Sequence, residues 1–574
     1  SREIIQQTTS GHYVNTLSRL FLTLIVSLLL APGAAAQCEL NQAEFDTARG
    51  TVYLDANNDG TFDRSERGVE GVRVSNGCEV VRTAVDGSYQ IAITSNTILF
   101  ISKPAGYSLP LDDNNIPKFF YRHYPQGTPN EIAGTSVEWL FPVIDPTGAL
   151  PTAINFALYL DDNASAEFSA LGFADPQAMY DLGEDMLRED LVNPLIGNPY
   201  GVKFGITVGD VAFDNLAIYE RHKAMMSLMD IPQWYIPGNH DMNYQSPNAQ
   251  YATETYKRHF GPTYYSFDEA LVHVVALNNV EYEGLRTDSS NGAYRGFISD
   301  RQLAWLANDL RDVPTDSLIV IATHIPLLAN ADDGKSPPAT GPGTDNFSEL
   351  LEILRPFENI YGIAGHDTSN SWKVQIDHNH GWSGNPWIAH TLAEVRGNGW
   401  TKGPVDLRGV RDAMMQDGNP NGFYILKFAG VDVIPEFIPS PFGPDANQRL
   451  RITLDPLLSS PQENTVNRGA LQLGTKVVVN LFDGGVRDSM WLSLDGANMA
   501  AMNYTVRTDP YAERIFQRLS DTSDAISRPT RSAHIWEFQL PDELAIGIHR
   551  VEVFSEDEFG QTQRGAFSFE ILSN

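Results

Sequence analysis

Pro237-Gly238-Asn239-His240-Asp241 follows the apolar run 233–236 (QWYI), and this junction decides how the whole chain is read. A short buried-type run ends at a Pro-Gly break. An amide, an imidazole and a carboxylate come at once after it. The same grammar recurs at 171–174 (LGFA) before Asp175-Pro176-Gln177, and at 204–208 (FGITV) before Gly209-Asp210. It recurs again at 317–323 (SLIVIAT) before His324 and at 359–364 (NIYGIA) before Gly365-His366. Short apolar runs bounded by turn residues read as buried strands. Open α/β sheets place their ligand sites beyond the carboxyl ends of such strands. Five strands are therefore predicted to bring oxygen and imidazole donors to one place, and no thiolate is among them.

Between these runs lie stretches with apolar residues at helical spacing, 178–190 and 215–229, and a third at 299–310 that opens with Ser299 as a plausible N-cap. Strands alternating with helices predict an α/β (α+β) core, mixed sheets covered by helices, over residues 165–430. On either side the pattern is one of short alternating strands. Two sandwich-like, all-β domains are expected, at 37–164 and 431–574. At 574 residues the chain is too long for one hydrophobic core.

Forty Lys and Arg face 72 Asp and Glu, a formal charge of -32. That balance argues against a nucleic acid as a stable partner, because binding a polyanion needs cations that displace counterions. Residues 1–36 read as a signal peptide: Arg19, an apolar stretch at 20–31, then the small residues Ala34-Ala35-Ala36. The apolar stretch is shorter than the ~20 residues a membrane span requires. A secreted or periplasmic protein with no membrane span after cleavage is expected. Cys38 and Cys78 are the two cysteines, which in an exported chain read as one disulfide.

Residues 55–66 (DANNDGTFDRSE) place Asp55, Asn57, Asp59, Gly60, Thr61, Asp63 and Glu66 at positions 1, 3, 5, 6, 7, 9 and 12 of a calcium loop. The flanks are strand-like, so the loop belongs to a β domain rather than to a helix-loop-helix hand. The segment resembles the calcium-binding B-type repeats of bacterial surface adhesins, which implies a rigid spacer.

In the core, the donor types suit two divalent transition ions such as Mn, Fe or Zn. Two cations about 3.5–4 Å apart polarise a phosphoryl group and stabilise the leaving oxygen. Asp210 is the carboxylate placed to bridge them. Asp175 and Gln177 are spaced to serve one ion; Asn239, His324 and His366 offer an amide oxygen and two imidazoles to the other. His240 is the candidate acid toward the leaving group, with Asp241 expected to orient its ring. Singly, each piece reads as an ordinary turn or core residue; in order, behind five strands, they point to a site.

The five pieces resemble the pattern D-x-H, GD, GNH-D/E, H and GHxH of the calcineurin-like metallophosphoesterases. Asp175-Pro176-Gln177 in place of D-x-H resembles a secreted bacterial branch with a β domain on each side. His390, residues 396–400 (RGNGW) and residues 415–424 (MQDGNPNGFY) match that branch's passage into its C-terminal domain. The resemblance implies a metal-dependent hydrolase of a phosphomonoester or phosphodiester acting through a metal-bridging hydroxide, with a small phosphate-ester substrate. It also implies Asp175 and Gln177 on the first ion, Asp210 between the two, and Asn239, His324 and His366 on the second.

The last histidine of the pattern falls on Thr368, and a neutral hydroxyl is a poor substitute for imidazole. The first metal position is therefore expected to be the weaker. Asp367, His378 and His380 stand near as replacement donors. A rival reading keeps the fold as a non-catalytic surface or binding protein with one central ion. Trp382, Trp387 and Trp400, with Arg295, Arg301, Lys335, Arg396 and Lys402, are candidate rim residues. Oligomeric state and substrate identity are not legible.

Overall fold

Every one of the five apolar runs becomes a strand, and its polar sequel begins where the strand stops. The computed structural model describes residue 38 and residues 45–285, 292–329, 343–396, 402–441, 448–455 and 465–573. The expected leader, Lys335 and Trp400 lie outside these. The core strands are β1 (Glu167–Phe173), β2 (Phe204–Val208), β3 (Gln233–Ile236), β4 (Tyr265–Glu269), β5 (Val272–Ala276) and β6 (Leu318–Ala322). They continue as β7 (Asn359–Ala364), β8 (Trp372–Ile376), β9 (Trp387–Thr391), β10 (Gly422–Ala429) and β11 (Asp432–Pro439). One sheet has the order β3-β2-β1-β10-β11, the other β4-β5-β6-β7-β9-β8. Within them β1, β2 and β3 are parallel, as are β5, β6, β7 and β9, and the outer strands are antiparallel.

Side chains alternate across each strand, and this sorts the first sheet's residues between two partners. Phe204, Ile206, Val208, Trp234 and Ile236 pack into the cluster shared with the second sheet. Leu171, Phe173 and Tyr235 face the helices. Trp234 stacks on Phe267 of the opposite sheet with ring centroids 4.1 Å apart. Each large side chain so buried contributes roughly 1.5–3 kcal/mol. The helices Asp181–Leu187 and Tyr219–Met226 cover the first sheet, and Asp300–Leu310 and Phe347–Leu354 the second. Ser299 caps the third of these, its hydroxyl accepting from Gln302 N. The result is the α/β core of two mixed sheets between helical layers.

One boundary moves. The core was expected to end at 430, yet β11 turns back at Gly430 (φ +64°) and pairs along all of β10. An edge strand that completes a ladder belongs to that sheet, so the core extends to Pro439.

The N-terminal strands Asp46–Leu54, Ser88–Ile93 and Phe156–Leu160 form one sheet; Arg73–Ser75, Thr97–Ile101 and Phe120–His123 form another. They do not serve as a spacer. Val74, Leu99 and Phe100 share a hydrophobic cluster with Trp305 and Phe267 of the core. Buried Arg73 reaches Asp268 at 2.6 Å and Asp309 at 3.3 Å, and Lys103 reaches Glu269 at 3.0 Å. Ion pairs this buried need fixed geometry, so these sheets are rigid, as expected, but seated on the core instead of holding it at a distance. Cys38 and Cys78 are joined by a disulfide across 40 residues, a loop whose closure stabilises by roughly 4 kcal/mol on the chain-entropy model.

The C-terminal part is a sandwich whose sheets contain Leu450–Asp455, Lys476–Leu481 and Arg531–Gln539 on one side and Ser489–Leu494, Gly547–Glu556 and Thr562–Leu572 on the other. It adds a helix, Pro510–Leu519, capped by Asp509. His534 of this sandwich meets core residues Asp417 and Ser371, each at 3.0 Å. No helix among the described residues is long and apolar enough to cross a membrane.

Candidate metal centre

The strand ends converge because their backbones turn sharply. Asp175, Gln177, Asp210, Asp214 and His366 all have φ between +40° and +70°, a region that costs a residue bearing a β-carbon on the order of 1 kcal/mol. Strain gathered at one edge of a sheet marks a place where side-chain direction matters more than local comfort. Gly238 shows the same pressure. A β-carbon there would lie 2.1 Å from Asp210 Oδ1 and 2.2 Å from Asp210 N, so glycine alone fits.

At the centre is His324, fully buried. Its Nδ1 lies 2.9 Å from Val208 O and donates to it, so Nε2 is the ring atom turned to the site and offers a lone pair once its proton is displaced. Around Nε2 stand Asn239 Oδ1 at 3.0 Å, His366 Nδ1 at 3.2 Å and Asp210 Oδ1 at 3.3 Å. The ligand atoms of Asp210, His324 and His366 all lie within 4.8 Å of one another. Acceptors converging on one point call for a positive charge. Burial works against charging His324, but Asp210 outweighs it and holds the ring's pKa up to about 9. Burial and the neighbouring His324 push His366 down to about 3.

Beside this lies a second group. Asp175 is buried, and both its oxygens accept from His366 N, at 2.9 and 3.2 Å. Burial, reinforced by Asp210, raises its carboxyl to about 7. Gln177 Nε2 donates to Asp210 Oδ2, and Gln177 N donates to Asp210 O at 3.0 Å. The other amide atom, Gln177 Oε1, is buried and has no hydrogen-bond partner. An orphaned buried oxygen on a side chain already held to Asp210 fits a cation site. Both groups of donors thus suit divalent ions, with Asp210 touching each.

Two family models match the flanking regions: "N terminal of Calcineurin-like phosphoesterase" over residues 56–134 and "C terminal of Calcineurin-like phosphoesterase" over residues 390–563. These two matches support a calcineurin-like metallophosphoesterase. The strand-end donors 175–366 lie between the two matched regions. This phosphoesterase is a phosphoric ester hydrolase that works with divalent metal ions. No curated protein matches it significantly. Among solved structures it is similar to a purple acid phosphatase from yellow lupin seeds, at 10% identity over 70% of this chain and 68% of that one. The TM-score of 0.33 is too low to carry detail across.

Asp241 does not orient His240. Residues 239–241 make a single tight turn that aims Asp241 back under the strands. There its carboxylate accepts from Gly238 N (2.8 Å), Val211 N and Ala212 N (3.1 Å each) and the Tyr219 hydroxyl (2.7 Å). It ties the turn after β2 to the turn after β3, which keeps Asp210 and Asn239 together. The group on His240 is Asp214: Nδ1 and Oδ1 are 2.7 Å apart, and the imidazole stacks on Phe213 with centroids 4.2 Å apart. Tyr244 Oη donates to the same Asp214 oxygen at 2.5 Å. Asp214 and Phe213 lie in the phosphoesterase's turn after Gly209-Asp210. Their sequence gave no sign of a role, because an acid four residues beyond a ligand is ordinary in a loop.

His378 and His380 form a turn between β8 and β9, at the end of the sheet away from His366. Neither reaches the centre, and His380 pairs with Asp377 at 3.0 Å. Asp367 Oδ1 is taken by Ser369 N, Ser369 Oγ and Asn370 N. Trp382 and Trp387 are buried core residues at that same far end, not walls of the site. Arg295 is held by Glu281 and lies over Phe297, while Arg301 reaches Asn76 O. Thr368 is half-buried and lines a cleft with Arg396, Lys402 and Met415.

The loop 55–66 folds its side chains inward. Asp55 Oδ2 accepts from Gly60 N at 2.9 Å, Asp59 Oδ1 from Thr61 N at 2.7 Å, and Asn57 Oδ1 from Asp59 N at 3.1 Å. Glu66 spans the loop, with Oε1 toward Ala56 N at 3.3 Å and Oε2 toward Asp63 N at 3.0 Å, while Asp63 Oδ1 accepts from Ser65 N at 2.6 Å. Asp55 Oδ1 is buried without a hydrogen-bond partner. This donor set fits calcium.

Proposed function

We propose that this chain is an exported enzyme that cleaves a small phosphomonoester or phosphodiester at the centre formed by Asp175, Gln177, Asp210, Asn239, His324 and His366. The observation that carries the reading is the His240–Asp214 pair beside the cation-seeking cluster. Nδ1 of His240 is engaged by Asp214, and Nε2 lies 4.0 Å from Asp210 Oδ2. Divalent ions bound there supply Lewis acidity toward the phosphoryl oxygens and activate water. The chain's own part is positional. Asp241, through Gly238 N and the Val211 and Ala212 amides, holds the two turns that present Asp210 and Asn239. Burial disfavours charge on His240, but Asp210 and Asp214 outweigh it and raise the ring's pKa, so Nε2 holds a proton for the leaving oxygen. Export is supported by the leader-like residues 1–36 and by the disulfide. The loop 55–66 binds calcium and braces the N-terminal sheets.

Chromogenic mono- and diester substrates with Mn or Zn added test this directly. Turnover that vanishes in Asp210→Asn is expected; metal-loaded protein inert on both substrate types overturns it. Thr368 favours a second reading, a binding protein holding one central ion. In that case metal analysis gives one tightly held ion and no turnover.

A further inference from the structure

We propose that Glu394 is the missing protein ligand of the first metal position, doing the work that Thr368 cannot. This rests on the reading of a dinuclear centre and names the donor that completes it. After β9 the chain crosses the two strand ends that carry the first-position residues. Leu392 N donates to Ala364 O at 2.8 Å, next to Gly365-His366, and Val395 N donates to Ala174 O at 2.7 Å, next to Asp175. Ala393 N is fixed by the Tyr424 hydroxyl at 2.8 Å. Glu394 is thus held against the segment that bears Asp175, on a backbone pinned on both sides.

Its side chain is unusual for an acid. Glu394 is 4% exposed, and its Oε1 is buried with no hydrogen-bond partner. A buried carboxylate without partners is strongly disfavoured unless an opposite charge answers it. The strongest charge acting on it is that of Asp175, which is of the same sign, followed by Arg396. Arg396 lines the same cleft as Glu394, and its Nη2 donates to Lys402 O at 2.9 Å. Thr368 lines that cleft too. So the residue standing where the pattern has histidine and an unsatisfied buried carboxylate share one cleft, and Gln177 Oε1 is a second orphaned buried oxygen of the first position. A divalent cation held between Glu394 and Asp175 would answer the orphaned oxygen and the like-charged pair together.

The consequence is a centre of two kinds. Asp175, Gln177, Asp210 and Glu394 make an all-oxygen first position, which suits a hard ion such as Mn²⁺ or Mg²⁺. Asn239, His324 and His366, with Asp210, make an imidazole-bearing second position that suits Zn or Fe.

The test is Mn²⁺ binding by calorimetry and by electron paramagnetic resonance. Full-length protein carrying Glu66→Gln is used, so that the N-terminal loop does not contribute. Two bound ions with a spin-coupled signal are expected in that background. Glu394→Gln, which removes only the charge, is expected to lower the affinity of the weaker ion at least ~100-fold and leave an uncoupled one-ion spectrum. Adding Thr368→His to Glu394→Gln is expected to return the second ion, which an unfolded variant does not do. Two ions bound unchanged by Glu394→Gln overturn the proposal while leaving the dinuclear centre intact. One ion in both proteins also overturns it. No ion in either overturns the metallophosphoesterase site itself.

Discussion

His240 Nδ1 stands 2.7 Å from Asp214 Oδ1, while the opposite ring nitrogen looks toward Asp210 Oδ2 at 4.0 Å. The imidazole is thereby strung between a carboxylate that orients it and the carboxylate that unites the two donor groups. Phe213 stacked on its face leaves the ring little freedom to rotate. Replacing Asp214 by Asn is expected to lower kcat by roughly 10–100-fold with little change in KM, the usual effect of losing an orienting partner. His240→Asn is expected to cost more, about 10²–10⁴-fold. The double variant should be no worse than His240→Asn alone, because Asp214 acts through the ring. Steady-state kinetics on one chromogenic ester decide this, and an unchanged kcat in Asp214→Asn removes the assignment.

Gly238 is the position least able to accept a side chain. Gly238→Ala drives a methyl group against both Asp210 Oδ1 and Asp210 N, and backbone cannot yield as a flexible side chain does. The expected outcome is loss of most central metal with the fold retained, read by elemental analysis and circular dichroism. Full metal occupancy in this variant means that Asp210 is not where the ions bind.

Calcium bound by loop 55–66 is expected to raise the melting temperature without changing turnover, since the loop contains none of the central donors. Glu66→Gln weakens the residue that closes the loop and should abolish the calcium-induced shift. A kcat that depends on calcium in the wild type and loses that dependence in this variant contradicts the separation of the two sites.

The junction of core and C-terminal sandwich should respond to pH through His534. Burial opposes its charge, but the hydrogen bond and charge of Asp417 outweigh burial and raise its pKa above the ordinary value. A histidine whose folded pKa is raised contributes stability that is full below about pH 6.5 and is lost as pH rises through the folded pKa. The melting-temperature gap between wild type and His534→Ala is therefore expected to shrink from pH 6 toward alkaline pH. Breaking so buried a pair costs about 3–5 kcal/mol when it is charged. A gap that widens with pH refutes the assignment.

Much of the site is written in runs of consecutive residues, and those parts are legible without coordinates. An apolar run followed by a Gly-Asp or Gly-Asn-His-Asp break carries its own local geometry: strand, turn, exposed donor. The β10–β11 hairpin misled because its strands alternate like those of the sandwich beyond it, and only ladder pairing shows which sheet owns a strand. The N-terminal domain misled for a similar reason, since nothing local reports that Arg73 meets Asp268 and Asp309 across some two hundred residues.

The strand ends, the donor types and the order in which they arrive can be read along the chain, because strand periodicity and turn chemistry act over a few neighbours. Only the tertiary structure decided which acid serves which neighbour. Asp241 looks adjacent to His240 in the chain yet points beneath the sheet, whereas Asp214 reaches the ring from another turn. Glu394, more than two hundred residues from Asp175 in the chain, comes to rest against the segment that bears it because the stretch after β9 is pinned to Ala174 and Ala364. Hydrogen-bond and metal geometry are settled within a few ångströms in space, and distance along the chain carries almost no record of them.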